Sequence, residues 1–188
     1  KYINQIAQKQ KTSLEIDKEI ERLIREAIAK SNKEKNKSTN FSLTPEALEL
    51  SKNFTLNKGK LPWPVIRGVV IQKFGTQPHP VVKTAKIKSN GIIIATVDKE
   101  KVRTVFDGTI LSVLQFKGGN PTILVQHGKY ITAYKNLSKV YVKKGDKVFS
   151  GQNIGEVFTN NLNGKSTIQF SVFQNTTPVD PLLWIIKM

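Results

Sequence analysis

The stretch Pro121–Val157, PTILVQHGKYITAYKNLSKVYVKKGDKVFSGQNIGEV, decides the fold class because it carries the strongest β-strand signal in the chain. A short apolar run at 123–125 is followed by a His-Gly-Lys turn, in which Gly128 can take a positive φ at little cost. From 130 to 135 two sets of side chains alternate with a period of two, which is typical of the second strand of a hairpin. Two more glycine turns follow before another strand begins at Ile154. The stretch predicts short antiparallel strands joined by tight turns.

The same pattern extends over residues 61–188. Turn sequences such as Ser89-Asn90-Gly91 and Asp107-Gly108 separate further short strands, and 166–173 has the length of a last long strand. The segment opens with Leu-Pro-Trp-Pro-Val, in which two prolines stiffen the entry and Trp63 supplies a large apolar anchor. Frequent short strands with regular turns predict an all-β domain of antiparallel sheets.

Residues 1–37 predict a helix that precedes this domain. They contain neither Gly nor Pro, and small or apolar side chains recur at spacings of three and four. These are Ile6, Ser13, Ile16, Ile20, Leu23 and Ala27, with Leu14, Ile24 and Ile28 widening the stripe. We interpret the segment as the end of a coiled coil, or one arm of a helical hairpin; an amphipathic helix packed on its own domain is the alternative. Because the sequence begins at Lys1 rather than Met, we expect a processed form or a fragment.

Residues 38–60 predict a linker that contains a short helix. The all-polar stretch Ser31–Asn40 leads into it. Thr44 is a good N-cap, and Pro45 suits the first helical position. A helix of about ten residues is marginal by itself in water, so its apolar side chains need a docking surface. The segment, with the apolar residues Leu48, Leu50 and Phe54, is therefore a candidate regulatory arm; simple packing on the outside of the β-domain near Trp63 is the alternative.

Composition excludes several classes of function. The net charge is +16, of which +11 falls on residues 61–188, and such a field attracts nucleic acid, anionic lipid or an acidic cell-wall polymer. The basic residues are mostly lysines and are scattered, whereas dedicated phosphate recognition prefers arginine. No glycine-rich phosphate loop and no aromatic–basic platform is present, so no nucleic-acid partner is expected. The absence of cysteine excludes thiol catalysis and disulfides, and no apolar run is long enough to span a membrane.

The order of motifs in the second half of the chain resembles that of a LytM-type (lysostaphin-like) zinc endopeptidase domain. The motifs are the His-Gly turn, then Tyr-x-x-Leu-Ser, then V-x-x-G-x-x-V-x-x-G-Q-x-I-G. The resemblance covers about Leu61–Ile185 and implies the same all-β fold.

The resemblance also shows where zinc chemistry belongs and that the required residues are replaced. Such enzymes use H-x-x-x-D, Y-x-H-L and H-x-H motifs, and zinc needs three protein ligands with an open position for water. The five histidine and aspartate positions fall on Ser89, Ile93, Asn136, Thr167 and Gln169. Ile93 has no donor atom, and a hydroxyl or an amide is a poor ligand for Zn²⁺. We therefore expect no metal, no cofactor and no peptidase activity.

A degenerate domain of this kind behind a helical segment resembles the murein hydrolase activators of the EnvC type. The resemblance implies a periplasmic protein of cell division, whose vacant groove binds and activates a cell-wall amidase. It also implies that the coiled coil contacts a transporter-like membrane complex at the division site, and that a helical arm blocks the groove until that complex acts. Direct binding of peptidoglycan is compatible with the resemblance. The groove is expected to be lined by Ser89, Asn90, Ile93, Tyr134, Asn136, Thr167, Gln169 and Phe173. Family members carry basic residues where this chain has Asn90 and Phe173, so we expect a more apolar partner.

Three other readings compete with this one. The hairpin 142–152 also resembles an element of lipoyl-like folds, so a periplasmic adaptor with a lipoyl-like β-domain and a helical hairpin is the main alternative. A second alternative is an active hydrolase with a new zinc site built from His79, His127 and one aspartate. The number of lost zinc ligands argues against an active hydrolase. Nucleic-acid binding has only the net charge in its favour.

Overall fold

The structure is a computed structural model that describes residues 2–32 and 38–187. It contains two α-helices, α1 (Tyr2–Ser31) and α2 (Pro45–Leu56), within those ranges. The central part of the predicted polar linker, residues 33–37, lies outside the described residues. No helix in the described part of the chain carries an apolar stretch that could cross a membrane.

The strands are short and follow one another closely along the chain. In order they are β1 (Val69–Gln72), β2 (Gly75–Pro78), β3 (Lys86–Ser89), β4 (Ile92–Thr96), β5 (Lys101–Arg103), β6 (Gly108–Leu114), β7 (Thr122–His127), β8 (Tyr130–Lys135), β9 (Leu137–Val140), β10 (Lys147–Val148), β11 (Asn153–Val157), β12 (Ser166–Gln174) and β13 (Thr177–Val179). A 3₁₀ turn at Pro181–Leu183 follows the last strand.

Over the described residues the strands form one large and two small sheets. The large sheet has eight strands in the order β1-β4-β12-β8-β7-β6-β10, with β13 beside β12. The order β5-β11-β9 gives a three-stranded sheet, and β2 pairs with β3. The strand pairings are antiparallel. The predicted fold class, an all-β LytM-type domain preceded by a helix, is confirmed.

The large sheet has an inner face that forms the main core and an outer face that α1 covers. Because side chains alternate along a strand, Phe170 and Val172 face inward, whereas Gln169 and Phe173 face outward. The inner face packs against the three-stranded sheet through side chains such as Val102. The outer face carries the groove described below.

Helix α2 is built into the main core. Thr44 caps it as predicted and accepts a hydrogen bond from the Ala47 amide at 3.2 Å. Phe54 is fully buried, and its ring lies 4.9 Å from that of His127, 4.7 Å from that of Tyr130 and 5.0 Å from that of Trp184. The helix therefore completes the core of the β-domain.

Two structural features of the His-Gly turn require a glycine at position 128. Gly128 has φ +66°, and a Cβ there would lie 1.9 Å from the hydroxyl of Ser51 on α2. The same hydroxyl accepts a hydrogen bond from the Lys129 amide at 2.8 Å. The turn is thus shaped to receive α2.

Helix α1 packs on the outer face through one apolar stripe. Ile20, Ile24 and Ile28 are buried at a spacing of four residues. They contact the outward-facing side chains Leu124, Ile131, Ala133 and Phe173. The exposed side of the helix carries the ion pairs Glu21–Arg25 and Arg22–Glu26, at 2.7 and 3.1 Å. The helix lies on its own domain in this structure; its extension into a coiled coil and the division of the chain at residues 37 and 60 stay predictions.

Candidate functional site

The groove on the outer face is organised by one row of residues across five strands. Antiparallel register places Gln72 beside Ile93, Ile93 beside Gln169, Gln169 beside Lys135 and Lys135 beside Thr122. Directly paired side chains on one face of a sheet lie within about 4.5–5.5 Å at Cβ, so these residues form one floor. The Thr122 hydroxyl is buried in this floor without a hydrogen-bond partner among the described residues.

Three of the positions aligned with zinc ligands meet at this floor. Ser89, Ile93 and Gln169 line one cavity of about 460 Å³. The Ser89 hydroxyl donates to the Gly91 carbonyl at 2.8 Å and accepts from the Gly91 amide at 3.3 Å, so it is used within its own turn. Gly91 is needed there because a Cβ would lie 2.3 Å from the Phe170 carbonyl oxygen. One hydrocarbon, one turn hydroxyl and one amide do not fit a zinc ion, whose site needs imidazole, carboxylate or thiolate donors.

The two remaining positions are joined to each other. Asn136 donates from its side-chain amide to the Thr167 carbonyl at 2.7 Å and accepts from the Asn120 amide at 2.7 Å. Its φ of +72° places it in the left-handed region, which asparagine tolerates better than most residues. Asn136, Thr167 and Gln169 line a second cavity of about 430 Å³, together with Lys135. The amide therefore holds the end of β8 to β12, where an enzyme of this type would need a histidine.

Three of the predicted groove residues, Asn90, Tyr134 and Phe173, line neither cavity, and Asn90 lies at the rim beside Asp17. Tyr134 is fully buried in the main core, where its ring packs 5.4 Å from that of Phe170 and its hydroxyl accepts from the Val105 amide at 3.0 Å. The prediction that it lines the groove is wrong, because alternation along β8 turns Tyr134 inward and Lys135 outward. Phe173 does lie on the outer face, but it is buried beneath the apolar stripe of α1, outside the two cavities.

Lys135 is a charged groove residue that the sequence analysis missed, as it missed Gln72 and Thr122 of the floor. Residues 131, 133 and 135 share one face of the sheet because side chains alternate along β8. Only the position of α1 shows which face this is, because residues 131 and 133 are buried against that helix. The Lys135 ammonium is buried and forms an ion pair with the Asp17 carboxylate of α1. A buried lysine with a single carboxylate partner makes the charge of the groove depend on the position of α1.

Helix α1, and not the segment 44–56, covers the groove. Lys9 and Ser13 line both cavities, which lie between the helix and the floor. Asp17 fixes the helix at the rim by pairing with Lys135 and by accepting from the Asn90 side-chain amide at 3.3 Å. In the predicted arm, Phe54 is buried in the core, Leu50 is half-buried, and Leu48 is exposed.

The two histidines do not belong to a common metal-binding group among the described residues. Both ring nitrogens of His127 are occupied: Nδ1 lies 2.6 Å from the Asp107 carbonyl oxygen, to which it donates, and Nε2 lies 2.9 Å from the Thr132 hydroxyl. Burial lowers the pKa of His127 to about 4, so it is neutral at pH 7. His79 accepts the Val81 and Val82 amides at its Nδ1. In the ranges 2–32 and 38–187 no group of three or more His, Cys, Asp or Glu side chains is placed to hold a metal ion.

Comparison with known proteins agrees with this architecture. Residues 87–181 match the family model for Peptidase family M23. The match includes the hairpin 142–152 and so assigns it to an M23 domain rather than to a lipoyl-like fold. The murein hydrolase activator EnvC of Escherichia coli K12 is 25% identical over 129 residues, which cover 68% of this chain and 29% of EnvC.

Two further relatives share the domain. The peptidoglycan DD-endopeptidase ShyA of Vibrio cholerae is 38% identical over 78 residues, which cover 41% of this chain and 18% of ShyA. A chain from the solved pore-forming complex of SpoIIQ and SpoIIIAH shares the fold, with a TM-score of 0.57 at 21% identity over 69% of this chain and 93% of that one. The chain spans less than a third of the length of the curated relatives it matches. The family match and the antiparallel fold together establish that this chain belongs to Peptidase family M23.

Proposed function

We propose that this protein has a role in cell-wall metabolism outside the cytoplasm, as a non-catalytic activator of N-acetylmuramoyl-L-alanine amidases in cell division. Its M23 domain and its similarity to EnvC support a cell-wall role. The amidase binds in the groove formed by Ile93, Gln169, Lys135 and their neighbours. In this proposal the domain contributes a binding surface and no bond-breaking chemistry.

The observation that carries the proposal is the pairing of Ile93 with Gln169 at the centre of the groove. These positions align with an aspartate and a histidine of the zinc enzymes, and here they are a hydrocarbon and an amide. The strand register that brings them together is nevertheless intact, so a shaped groove remains after the chemistry is gone. A groove with an apolar centre and a buried lysine beside it is suited to another protein's side chains.

Helix α1 serves in this proposal as the cover that keeps the activator closed. It occupies the surface that the amidase needs, so the apparent affinity for the amidase is reduced by the fraction of molecules that are closed. We assign release of α1 to a membrane complex at the division site, which acts on the helical segment. Residues 44–56 have no such role, because Phe54 is part of the core.

A substitution at the centre of the groove tests the amidase-binding role. Ile93→Glu places a carboxylate where an apolar contact forms, and it should abolish activation while the fold is retained. Leu162→Glu introduces the same charge at a fully exposed loop position and serves as the control. The measurement is dye release from labelled peptidoglycan by the cell-wall amidases of the same organism, with each variant added. Activation by Ile93→Glu equal to that by Leu162→Glu would exclude the groove as the amidase site.

The absence of catalysis is tested on the isolated chain. We expect no dye release without an amidase and no stoichiometric zinc by elemental analysis. One tightly bound zinc ion per chain, together with dye release that a chelator stops, would make the protein a hydrolase.

A further inference from the structure

One end of the domain exposes apolar and basic side chains together, away from the groove. It is formed where the segment after α2 runs beside the C-terminal segment. Their backbones are joined by hydrogen bonds from the Gly59 amide to the Trp184 carbonyl at 2.8 Å and from the Ile186 amide to the Leu61 carbonyl at 2.9 Å. The Trp63 indole also donates to the Ile186 carbonyl at 2.8 Å. These contacts hold the two segments edge to edge as one surface.

We define this surface as the basal patch, made of Leu56, Lys58, Lys60, Leu183, Ile186 and Lys187. Its three apolar side chains are 73%, 58% and 48% exposed, in the order Leu56, Leu183 and Ile186. The lysines are exposed as well. Several large apolar side chains on one small surface mark an interaction site more often than single ones do.

The charge of the patch has one sign. Residues 50–63 and 181–187 contain four lysines and no acidic residue. The nearest carboxylate before the second segment, that of Asp180, accepts the Leu182 amide at 3.0 Å. Among the described residues no carboxylate forms a salt bridge with Lys58, Lys60 or Lys187, and the Lys58 ammonium lies 5.2 Å from the centre of the Trp184 ring.

We propose that the basal patch binds the surface of an anionic lipid bilayer. Apolar side chains flanked by lysines are the arrangement with which peripheral proteins rest on such a bilayer, with the apolar groups at the acyl boundary and the ammonium groups at the phosphates. Lysine stems can lie along the apolar surface while the charged ends reach the headgroups. A soluble polyanion would use the lysines and leave the three apolar side chains in water, so the combination favours lipid.

This binding is compatible with the proposed function and does not depend on it. No basal-patch residue lines the two groove cavities or belongs to the apolar cluster under α1, among the contacts of the described residues. The domain can therefore rest on a bilayer while the groove is either covered or open.

The test uses the full chain and vesicles of equal parts phosphatidylglycerol and phosphatidylcholine, with pure phosphatidylcholine vesicles as the reference. Co-sedimentation measures binding. Tryptophan emission is a second readout, because Trp63 and Trp184, the two tryptophans of the chain, lie at this end. We expect binding to the anionic vesicles that weakens as salt is raised, and little binding to the neutral ones.

Two variants separate the parts of the patch. Leu56→Ser with Leu183→Ser removes apolar groups, and Lys58→Gln with Lys60→Gln and Lys187→Gln removes charge. Each should weaken binding by about tenfold or more, because buried methylenes and lysines near the headgroups both contribute. These positions are exposed, so thermal unfolding should be unchanged.

The loop 143–149 supplies a matched control. It carries three lysines and Phe149, which is 67% exposed. Exchanging those lysines for Gln and Phe149 for Ser should leave vesicle binding intact. The proposal is overturned if anionic vesicles do not bind, or if the control variant loses as much binding as the patch variants. It is also overturned if the double Ser variant binds like wild type, which would assign the lysines to a polyanion.

Discussion

The two helices both pack on the β-domain, but they do so in different ways. Helix α2 inserts Phe54 into an aromatic cluster of the main core, and its Ser51 bonds the backbone of the hairpin turn. Helix α1 lies on the outer face, with cavities of about 460 and 430 Å³ lined by its N-terminal half. Its contacts include one apolar stripe, the Asp17–Lys135 ion pair and the hydrogen bond between Asp17 and Asn90.

Helix α2 is therefore an integral part of the fold, whereas α1 lies on the surface of a sheet that is complete without it. A helix whose side chains complete a core cannot leave without unfolding the domain, whereas a helix on an otherwise finished sheet can detach locally. The short capped segment therefore stabilises the domain, and the long amphipathic helix is the element to which we assign the proposed regulation. The following predictions test this contrast in order of decreasing effect.

The largest effect is expected at the anchor of α2. Phe54→Ala should lower the free energy of unfolding of the whole β-domain by about 3–5 kcal/mol, because it leaves a cavity among packed rings. Leu48→Ala on the same helix changes a half-exposed side chain and should cost less than about 0.5 kcal/mol. Urea unfolding followed by tryptophan fluorescence measures both. A Phe54→Ala protein as stable as wild type would place α2 outside the core.

Acid should weaken the same region through His127, whose ring stacks on Phe54. The unfolded chain takes up a proton at this histidine near pH 6.5, whereas burial lowers the pKa in the folded state to about 4. Stability should therefore be full above pH 6.5 and fall by about 3 kcal/mol as the pH drops from 6.5 to 4. His127→Gln should flatten this part of the pH profile of unfolding. A variant with the wild-type slope would assign the acid sensitivity to other groups.

A third prediction concerns the apolar stripe of α1. Ile24→Ala should weaken docking of the helix by about 2–3 kcal/mol and leave the unfolding of the β-domain unchanged. Hydrogen exchange should speed up in α1 and at the outer-face strands, but not at α2. Leu14→Ala, at a position that is more than half exposed on the same helix, is the control. Equal loss of protection in α2 would mean that the two helices open together.

The smallest effect is expected from the ion pair. Asp17→Asn should favour detachment of α1 by about 1–2 kcal/mol, less than for a fully enclosed pair because detachment returns Lys135 to water. Glu21→Gln, which breaks an exposed pair with Arg25 on the same helix, should change docking by less than about 0.5 kcal/mol. Hydrogen exchange of α1 at low and high salt compares the two variants. Equal hydrogen exchange of α1 in the two variants would show that the buried Asp17–Lys135 pair does not hold the helix on the sheet.

The strands and caps could be predicted from the sequence because their signals are local. Turn glycines, period-two alternation and the Thr44-Pro45 start of α2 are all properties of neighbouring residues. The positions matched to zinc ligands were assigned from motifs in the same local way, and that assignment stays a prediction. The placement of the helices was not, since both have apolar faces and only tertiary packing decides which surface each covers. The same holds for Tyr134 and Lys135 within β8. Alternation predicts that their side chains lie on opposite faces of the sheet, but it does not predict which face packs into the main core.

A reversible disulfide between α1 and the groove rim tests whether this helix covers the amidase site. The chain has no cysteine, and the side chains of Asp17 and Asn90 are in hydrogen-bond contact at 3.3 Å. The double variant Asp17→Cys with Asn90→Cys is designed to join α1 to the groove rim when oxidised and to free it when reduced, and loss of free thiol in the oxidised protein checks that the disulfide forms. Amidase-dependent dye release should be low for the oxidised protein and should rise above the wild-type level on reduction, while Asp17→Cys alone should not respond to the reductant. Equal activation of the amidase by the oxidised and reduced forms would contradict the proposal that α1 covers the amidase site.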